Sequence, residues 1–91
     1  MLKDALERAI EAALVKRVTA LGGVTIKIML IRGFPDRLVF LPGGRVVAVE
    51  TKRPQGGRLS PHQKRWIDRL RGLGIETLVV RNETEIDRLF G

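Results

Sequence analysis

The 91-residue sequence contains no cysteine and no long apolar run. The absence of cysteine excludes disulfides and thiolate metal sites. The apolar stretches are far too short to cross a bilayer, and the charged, amphipathic N-terminus, residues 1–13, has no signal-peptide core. We therefore expect a cytoplasmic protein that makes no contact with a membrane.

Aromatic residues are also scarce: the chain has one tryptophan, three phenylalanines and no tyrosine. So few aromatic rings disfavour a base-stacking platform for single-stranded nucleic acid, and we expect Trp66 in the core instead. Nor does the sequence contain a Walker motif, an H-E-x-x-H pair or a serine-based catalytic arrangement. These absences remove the commonest ATPase, zinc-protease and serine-hydrolase interpretations.

Positive charge, by contrast, is abundant in this chain. Seventeen Lys and Arg residues face ten Asp and Glu residues, which gives a net charge of +7. Nine of the basic residues but only three of the acids lie between Gly33 and Arg71, so the excess is concentrated in the middle of the chain. Such a patch attracts phosphates and favours a nucleic-acid partner over a merely soluble basic surface.

Hydrophobic spacing and turn residues predict seven elements within one domain, residues 1–91. Glycines end the first helix at position 22, and Ser60-Pro61 begins the second in a capping-box arrangement with Gln63. The third strand is apolar on both faces as far as Val49, so it should be central and covered on both sides. The α-β-β-β-α-β-α order is helix 2–21, strands 24–31, 37–41 and 45–52, helix 61–72, strand 75–80 and helix 83–90.

Charged residues at the ends of two predicted strands are the exception to this apolar pattern. Glu50 and Lys52 are two residues apart and share a face of the third strand. A hairpin that turns at residues 42–44 places Asp36, at the start of the second strand, beside them. Two carboxylates and one ammonium therefore converge at one edge of the sheet.

This group of charges has a purely structural alternative, in which Glu50 and Lys52 form an ion pair at a strand end and Asp36 is a turn residue. An E-x-K pattern taken alone usually has that meaning. Two carboxylates this close, however, repel each other unless a cation lies between them. Mg²⁺ prefers such oxygen ligands and can acidify a bound water, while a lysine can stabilise negative charge on a phosphate. The basic surroundings favour the metal site.

The same residues match a known family. The stretch GFPDRLVFLPGGRVVAVETKRPQGGRLSPHQKRW closely resembles the VRR-NUC branch of the PD-(D/E)xK nuclease superfamily. Pro35-Asp36 resembles its PD motif, Glu50-Thr51-Lys52 its (D/E)xK motif, and the G-x-L-S-x-x-Q-x-x-W run the segment that follows. The resemblance implies an α/β (α+β) restriction-endonuclease-like core, with a mixed four-stranded sheet flanked by helices.

The resemblance also implies a role for each residue. Asp36 and Glu50 are expected to be metal carboxylates, the backbone carbonyl of Thr51 a third ligand, and Lys52 the catalytic lysine. The implied cofactor is Mg²⁺ or Mn²⁺, and the implied reaction is hydrolysis of phosphodiester bonds. Gln63 has a structural alternative, because a capping-box residue only satisfies a backbone N–H. Its inward face and the family match favour a catalytic role beside the carboxylates.

The first helix should supply one more acid. Glu7 and Glu11 are both candidates, because they are four residues apart on one face. A solvated glutamate is the structural alternative for either. The stretch EAALVKRVTALGG resembles the first motif of archaeal resolvases, with Gly22 in register. We therefore expect Glu11 to hold a metal-bound water or a second metal, with Glu7 as the alternative.

Basic residues around these groups are the candidate nucleic-acid contacts. They are expected to bind backbone phosphates, which positions DNA without reading its sequence. An ordinary solvated face is the alternative for those on the second helix, where His62 is also expected to face solvent. The candidates are Arg37, Arg53, Lys64, Arg65 and Arg69.

The resemblance implies a metal-dependent, structure-selective DNA endonuclease in a bacterial or phage-infected host cell. Small stand-alone members of the branch resemble Holliday junction resolvases. A four-way junction needs two symmetric cuts, so we expect a homodimer that acts on branched DNA. A nuclease for flaps or nicked duplexes is one alternative, and a non-catalytic module that only holds DNA is another.

Overall fold

The structure, a computed structural model, describes residues 2–90, with side chains from Ala5 onward. The predicted order of helices and strands is confirmed. Met1 and Gly91, which the predicted domain includes, lie outside the described residues. The elements are α1 (Leu2–Ala20), β1 (Val24–Lys27), β2 (Arg37–Phe40), β3 (Val46–Thr51), α2 (Pro61–Gly72), β4 (Glu76–Val80) and α3 (Glu83–Phe90).

The four strands form one mixed sheet in the order β1-β2-β3-β4. The first three pair antiparallel in succession, and β4 joins β3 in parallel after the crossover through α2. β3 is therefore a central strand, and all its residues after Val46 are buried. This burial confirms the position predicted from its two apolar faces.

The core lies between the sheet and helices α1 and α3. Ile10, Leu14 and Val18 recur one turn apart on α1 and are buried against strand valines and against α3. Leu6, near the start of the helix, and Leu21, one residue after its end, are exposed, so only the middle of the predicted apolar stripe is buried. Within residues 2–90, no helix is both long and apolar enough to cross a membrane.

The turn between β2 and β3 sets the register on which the functional site depends. Gly43 and Gly44 both take positive φ angles, 85° and 83°, which glycine adopts without strain. The hairpin pairs the first residue of β2 with Val49 of β3. Asp36, one residue earlier, therefore lies opposite Glu50, one residue later. This register confirms the geometry predicted from the turn.

The first strand is shorter than its apolar pattern predicts. The pattern favours a strand over 24–31, but β1 ends at Lys27. The backbone N–H of Ile28 still donates to the carbonyl of Asp36 at 2.8 Å, and the chain then leaves the sheet as a loop. Met29 and Leu30 are 77% and 97% exposed there. The strand prediction is wrong at this end because these apolar side chains face solvent, not the core.

Candidate active site

Thr51 fixes Asp36 beside the end of β3. Oδ2 of Asp36 accepts hydrogen bonds from the backbone N–H of Thr51 at 3.0 Å and from its hydroxyl at 2.7 Å. Glu50, the preceding residue, is buried in the central strand with only 3% of its surface exposed. The two predicted acids are thus brought together by the hairpin register and held by one threonine.

The Glu50 carboxylate has one oxygen with partners and one without. Oε2 accepts a hydrogen bond from the side-chain amide of Gln63 at 3.0 Å and lies 3.7 Å from the ammonium of Lys52. Oε1 is buried and has no hydrogen-bond partner among the residues that the structure describes. An unpartnered buried carboxylate oxygen is costly, so its position suits a cation or a proton.

The environment of Glu50 brings the pKa of its carboxyl group close to neutral pH. Burial, and next the negative charge of Asp36, raise the pKa of Glu50 to about 7. The charge of Lys52 lowers the pKa, and Glu7 contributes a smaller increase. A divalent cation beside this carboxylate would favour its charged form and reverse the effect of burial.

Gln63 both caps α2 and contacts the Glu50 carboxylate, the two alternatives that the sequence left open. Its side-chain oxygen accepts the backbone N–H of Ser60 at 2.8 Å, while its own backbone N–H donates to the Ser60 hydroxyl at 3.2 Å. This is the predicted capping box at the start of α2. The amide nitrogen remains available and donates to Glu50. One side chain thus caps the helix and orients the buried carboxylate.

A cleft of about 260 Å³ opens beside the catalytic lysine candidate. Lys52 lines it together with Glu7, Arg53, Arg58 and the glycines at 56 and 57. The Lys52 side chain is itself only 13% exposed. The acid that α1 contributes to this cleft is therefore Glu7, the alternative in the sequence analysis.

Glu11 occupies an ion-pair cluster instead. Its Oε2 lies 2.9 Å from Nε of Arg37 and 3.0 Å from Nζ of Lys27. Burial alone would raise the pKa of Glu11, but hydrogen bonds from Lys27 and Arg37, together with their charges, hold it below its ordinary value. Lys27 stands at the end of β1, so the strand that packs beside α1 supplies one of the cationic partners.

The acidic side chains do not form a larger metal cluster. Across the described part of the chain, no three or more His, Asp or Glu side chains lie close enough to hold a metal ion. Asp36 and Glu50 are the two carboxylates that could hold an ion at this point. Mg²⁺ commonly takes only one or two carboxylates and completes its shell with backbone carbonyl, water and phosphate oxygens. The unpartnered Oε1 of Glu50 fits such an ion.

Two of the five predicted phosphate contacts are held by hydrogen bonds to oxygen atoms of the protein. Arg37 pairs with Glu11 at 2.9 Å. Arg53 folds back on its own loop and donates to the carbonyls of Gln55 and Gly56 at 2.8 and 3.0 Å. The other three stand on α2, where all are exposed: Lys64, Arg65 and Arg69.

Trp66 does not lie in the core, contrary to the prediction. It is half-buried and lines an open cavity of about 540 Å³, together with Arg32, His62, Arg65 and Arg69. The core prediction is wrong because the side chains on the sheet-facing stripe of α2 that become buried are those at 67 and 70. No pattern in the sequence indicates that Arg32 would join this cavity, since it lies in the loop that replaces the end of the predicted strand.

Comparisons with known proteins show the family to which the chain is similar. The family model described as "VRR-NUC domain" matches residues 3–83. A protein of Acyrthosiphon pisum secondary endosymbiont phage 1, "Putative nuclease p44", is 40% identical over 79 residues, which is 85% of this chain and 84% of that protein. A solved structure described as "VRR_NUC domain" superposes with a TM-score of 0.85 at 34% identity and covers 91% of both chains.

Replacing Glu50 with glutamine is expected to stabilise the metal-free protein at about pH 8 by roughly 2–4 kcal/mol. The folded-state pKa of Glu50, about 7, lies above its ordinary value of 4.5. Between these values the folded protein binds more protons than the unfolded one, so its stability falls as the pH rises. Urea unfolding in EDTA at about pH 5 and about pH 8 measures the difference. Asp68→Asn, an exposed acid on α2, is the control. An identical pH dependence in the native and Glu50→Gln proteins would contradict the raised pKa.

Proposed function

The chain belongs to the VRR-NUC domain family, and we propose that it is a divalent-metal-dependent endonuclease that cleaves branched DNA. The observation that carries the proposal is the Glu50 carboxylate, buried beside Asp36 with Oε1 unpartnered. Such a pair is unfavourable in a strand that could otherwise be apolar, whereas it suits a cation. The name of the phage relative, a putative nuclease, supports the activity. Its phage origin supports the cytoplasm of a bacterial or phage-infected cell as the place where the protein acts.

Mg²⁺ or Mn²⁺ fits the donors at this site. The carboxylates of Asp36 and Glu50 would hold the ion, and the backbone carbonyl of Thr51 is the proposed third ligand. When bound, the ion offsets negative charge on a phosphate and lowers the pKa of a coordinated water.

The remaining residues orient the reacting groups. Thr51 holds Asp36 through two hydrogen bonds, and Gln63 holds Glu50 through one. The ammonium of Lys52, which lies near Glu50 at the cleft, would stabilise the negative charge that develops when a phosphodiester is attacked. All five side chains project from the hairpin or from the capped start of α2. The geometry is therefore set before DNA binds.

The basic surface supplies the attraction for DNA. Lys64, Arg65 and Arg69 stand exposed on the helix that begins at the catalytic group, so they can contact backbone phosphates directly. Arg37 and Arg53 would exchange their present partners within the protein for phosphate oxygens.

A second copy of the chain is the partner that we propose for β1. This edge strand and the loop after it expose a run of apolar side chains, which isolated soluble domains rarely leave uncovered. Two copies would also supply the two cuts that a four-way junction needs. The exposed residues are Val24, Ile26, Met29, Leu30 and Ile31.

Cleavage of a labelled panel of four-way junction, flap, duplex and single strand, with Mg²⁺ and Mn²⁺, tests the activity. The native protein should cut branched DNA. Asp36→Asn, Glu50→Gln and Lys52→Met should each lose at least about 100-fold in rate while remaining folded. Arg88→Gln, an exposed arginine on α3, should keep full activity. Cutting of flaps alone would favour the flap-nuclease alternative. Salt-dependent DNA binding without any cleavage would leave only the non-catalytic module.

The two helix acids can be separated by their isosteric amides. Because Glu7 lines the cleft with Lys52, we propose it in place of Glu11 as the acid that assists catalysis. Glu7→Gln should lower the cleavage rate about tenfold or more with little change in stability. Glu11→Gln should instead lower stability by about 1–2 kcal/mol, because Lys27 and Arg37 lose their shared partner. A larger rate loss for Glu11→Gln at matched stability would restore Glu11 to the catalytic role.

The dimer is tested by sedimentation or light scattering at the concentration used for cleavage. The native protein should run at twice its monomer mass, and Leu30→Glu should run as a monomer, because the charge cannot be buried against a second copy. The side chain of Leu30 is 97% exposed, so this substitution should not unfold the chain. Thr19→Glu, which changes an exposed residue on α1, is the control. A native monomer that nevertheless cuts junctions would contradict the homodimer.

A further inference from the structure

The cavity of about 540 Å³ beside α2 lies outside the group of Asp36, Glu50 and Lys52, and two of the proposed phosphate contacts, Arg65 and Arg69, line it. Its lining combines one aromatic ring, one imidazole and three guanidinium groups. We propose that it holds one unpaired nucleotide of the DNA substrate, with the base against Trp66 and a phosphate at the arginines. The proposal rests on the proposed function and adds to it a means of recognising branched DNA.

Both walls of the cavity continue directly into the catalytic pair. On one wall, Arg32 lies four residues before Asp36, and Phe34, between them in the chain, meets the ring of Trp66 edge-on with centroids 5.0 Å apart. On the other wall, Trp66 is one helical turn after Gln63, whose amide bonds Glu50. A nucleotide in the cavity would therefore neighbour the phosphate presented to the two acids.

The chemistry of the lining suits a nucleotide better than an apolar ligand. The guanidinium of Arg69 lies over the Trp66 ring, 5.6 Å from its centroid, so a planar cation already lies at this face. None of the five lining residues is acidic. Partial desolvation and the charges of Arg32 and Arg65 lower the pKa of His62, in keeping with a positive potential. A base can stack where the guanidinium now lies, with Arg69 turned toward the phosphate.

The shape of the cavity is fixed by close backbone contact. Gly33 has a φ of +80°, and a β-carbon there would lie 2.6 Å from the β-carbon of His62 and 2.7 Å from its backbone carbon. The loop before β2 can thus approach the first turn of α2 only because residue 33 is glycine. A preformed pocket loses less free energy on ordering when its ligand binds.

The concave form of the cavity selects an unpaired nucleotide over a paired one. A base within a continuous duplex is stacked on both faces and cannot present one to Trp66 without leaving the helix. At a junction, flap or bulge, an unpaired base is available at little cost. The cavity would therefore favour cutting next to a break in base pairing. A single base needs only the Trp66 ring to stack on, so this binding does not require the extended row of aromatic residues that the composition disfavours.

Trp66 itself reports on the cavity, because it is the single tryptophan of a chain without tyrosine. The intact protein in EDTA, which prevents cutting, is titrated with three DNAs: a duplex with a short thymidine flap, the same duplex with an abasic flap, and the uninterrupted duplex. Only the thymidine flap should quench the Trp66 emission, and it should bind about tenfold more tightly than the abasic one. Equal quenching by all three DNAs, or by none, would overturn the proposal.

Substitutions at two cavity residues, Arg32 and Trp66, separate stacking from general charge. Arg32→Gln should weaken base-dependent binding, whereas Arg88→Gln, which removes the same charge from α3, should preserve the discrimination against the abasic flap. Trp66→Leu, followed by anisotropy of labelled DNA, should abolish that discrimination, and Trp66→Phe should retain part of it. Equal effects of Arg32→Gln and Arg88→Gln would contradict a specific pocket.

The cleavage panel distinguishes the two levels of the proposal. Metal-dependent cleavage without base-dependent quenching would overturn the nucleotide pocket and leave the nuclease standing. Base-dependent quenching without cleavage of any DNA would support the pocket and overturn the nuclease.

Discussion

The buried carboxylate of Glu50 is the constraint on which the rest of the structure depends. A charge in the central strand of a small sheet is costly, because burial removes water and Asp36 adds a second negative charge beside it. The apolar residues that precede Glu50 on β3 make the strand stable enough to carry this charge. The fold therefore holds a carboxylate whose hydrogen-bonding capacity the described residues satisfy only in part, in a position where a cation can stabilise it.

Neighbouring elements each contribute one contact to this group. The hairpin brings Asp36 opposite Glu50, and Thr51 fixes it there. The capping box of α2 serves the helix and the carboxylate together, because Gln63 uses its oxygen for one and its nitrogen for the other. A change in the start of α2 would thus alter the contacts of Glu50 directly. Thr51 and Gln63 are the supporting side chains that fix the two carboxylates.

Local signals in the sequence predicted much of this arrangement. The two-residue spacing of Glu50 and Lys52, the glycines of the turn and the Ser60–Gln63 cap each depend on a few neighbouring residues, so they could be interpreted without tertiary information. The end of β1 and the position of Trp66 could not be predicted in this way, because they depend on which apolar side chains pack against other elements of the fold. The choice between Glu7 and Glu11 depends on how α1 lies over the sheet, since Lys27 of β1 takes up one of two acids that share a helical face.

Metal binding to the buried pair tests the central claim most directly. Calorimetric titration of the protein with Mn²⁺ at about pH 6.5, in buffers of different ionisation enthalpy, measures the affinity and the protons released together. We expect one ion per chain with release of a proton from Glu50, whose pKa is raised to about 7 in the metal-free protein. The Glu50→Gln protein should lose both the binding and the proton release. Unchanged Mn²⁺ binding in Glu50→Gln, or no binding to the native protein, would contradict the central claim.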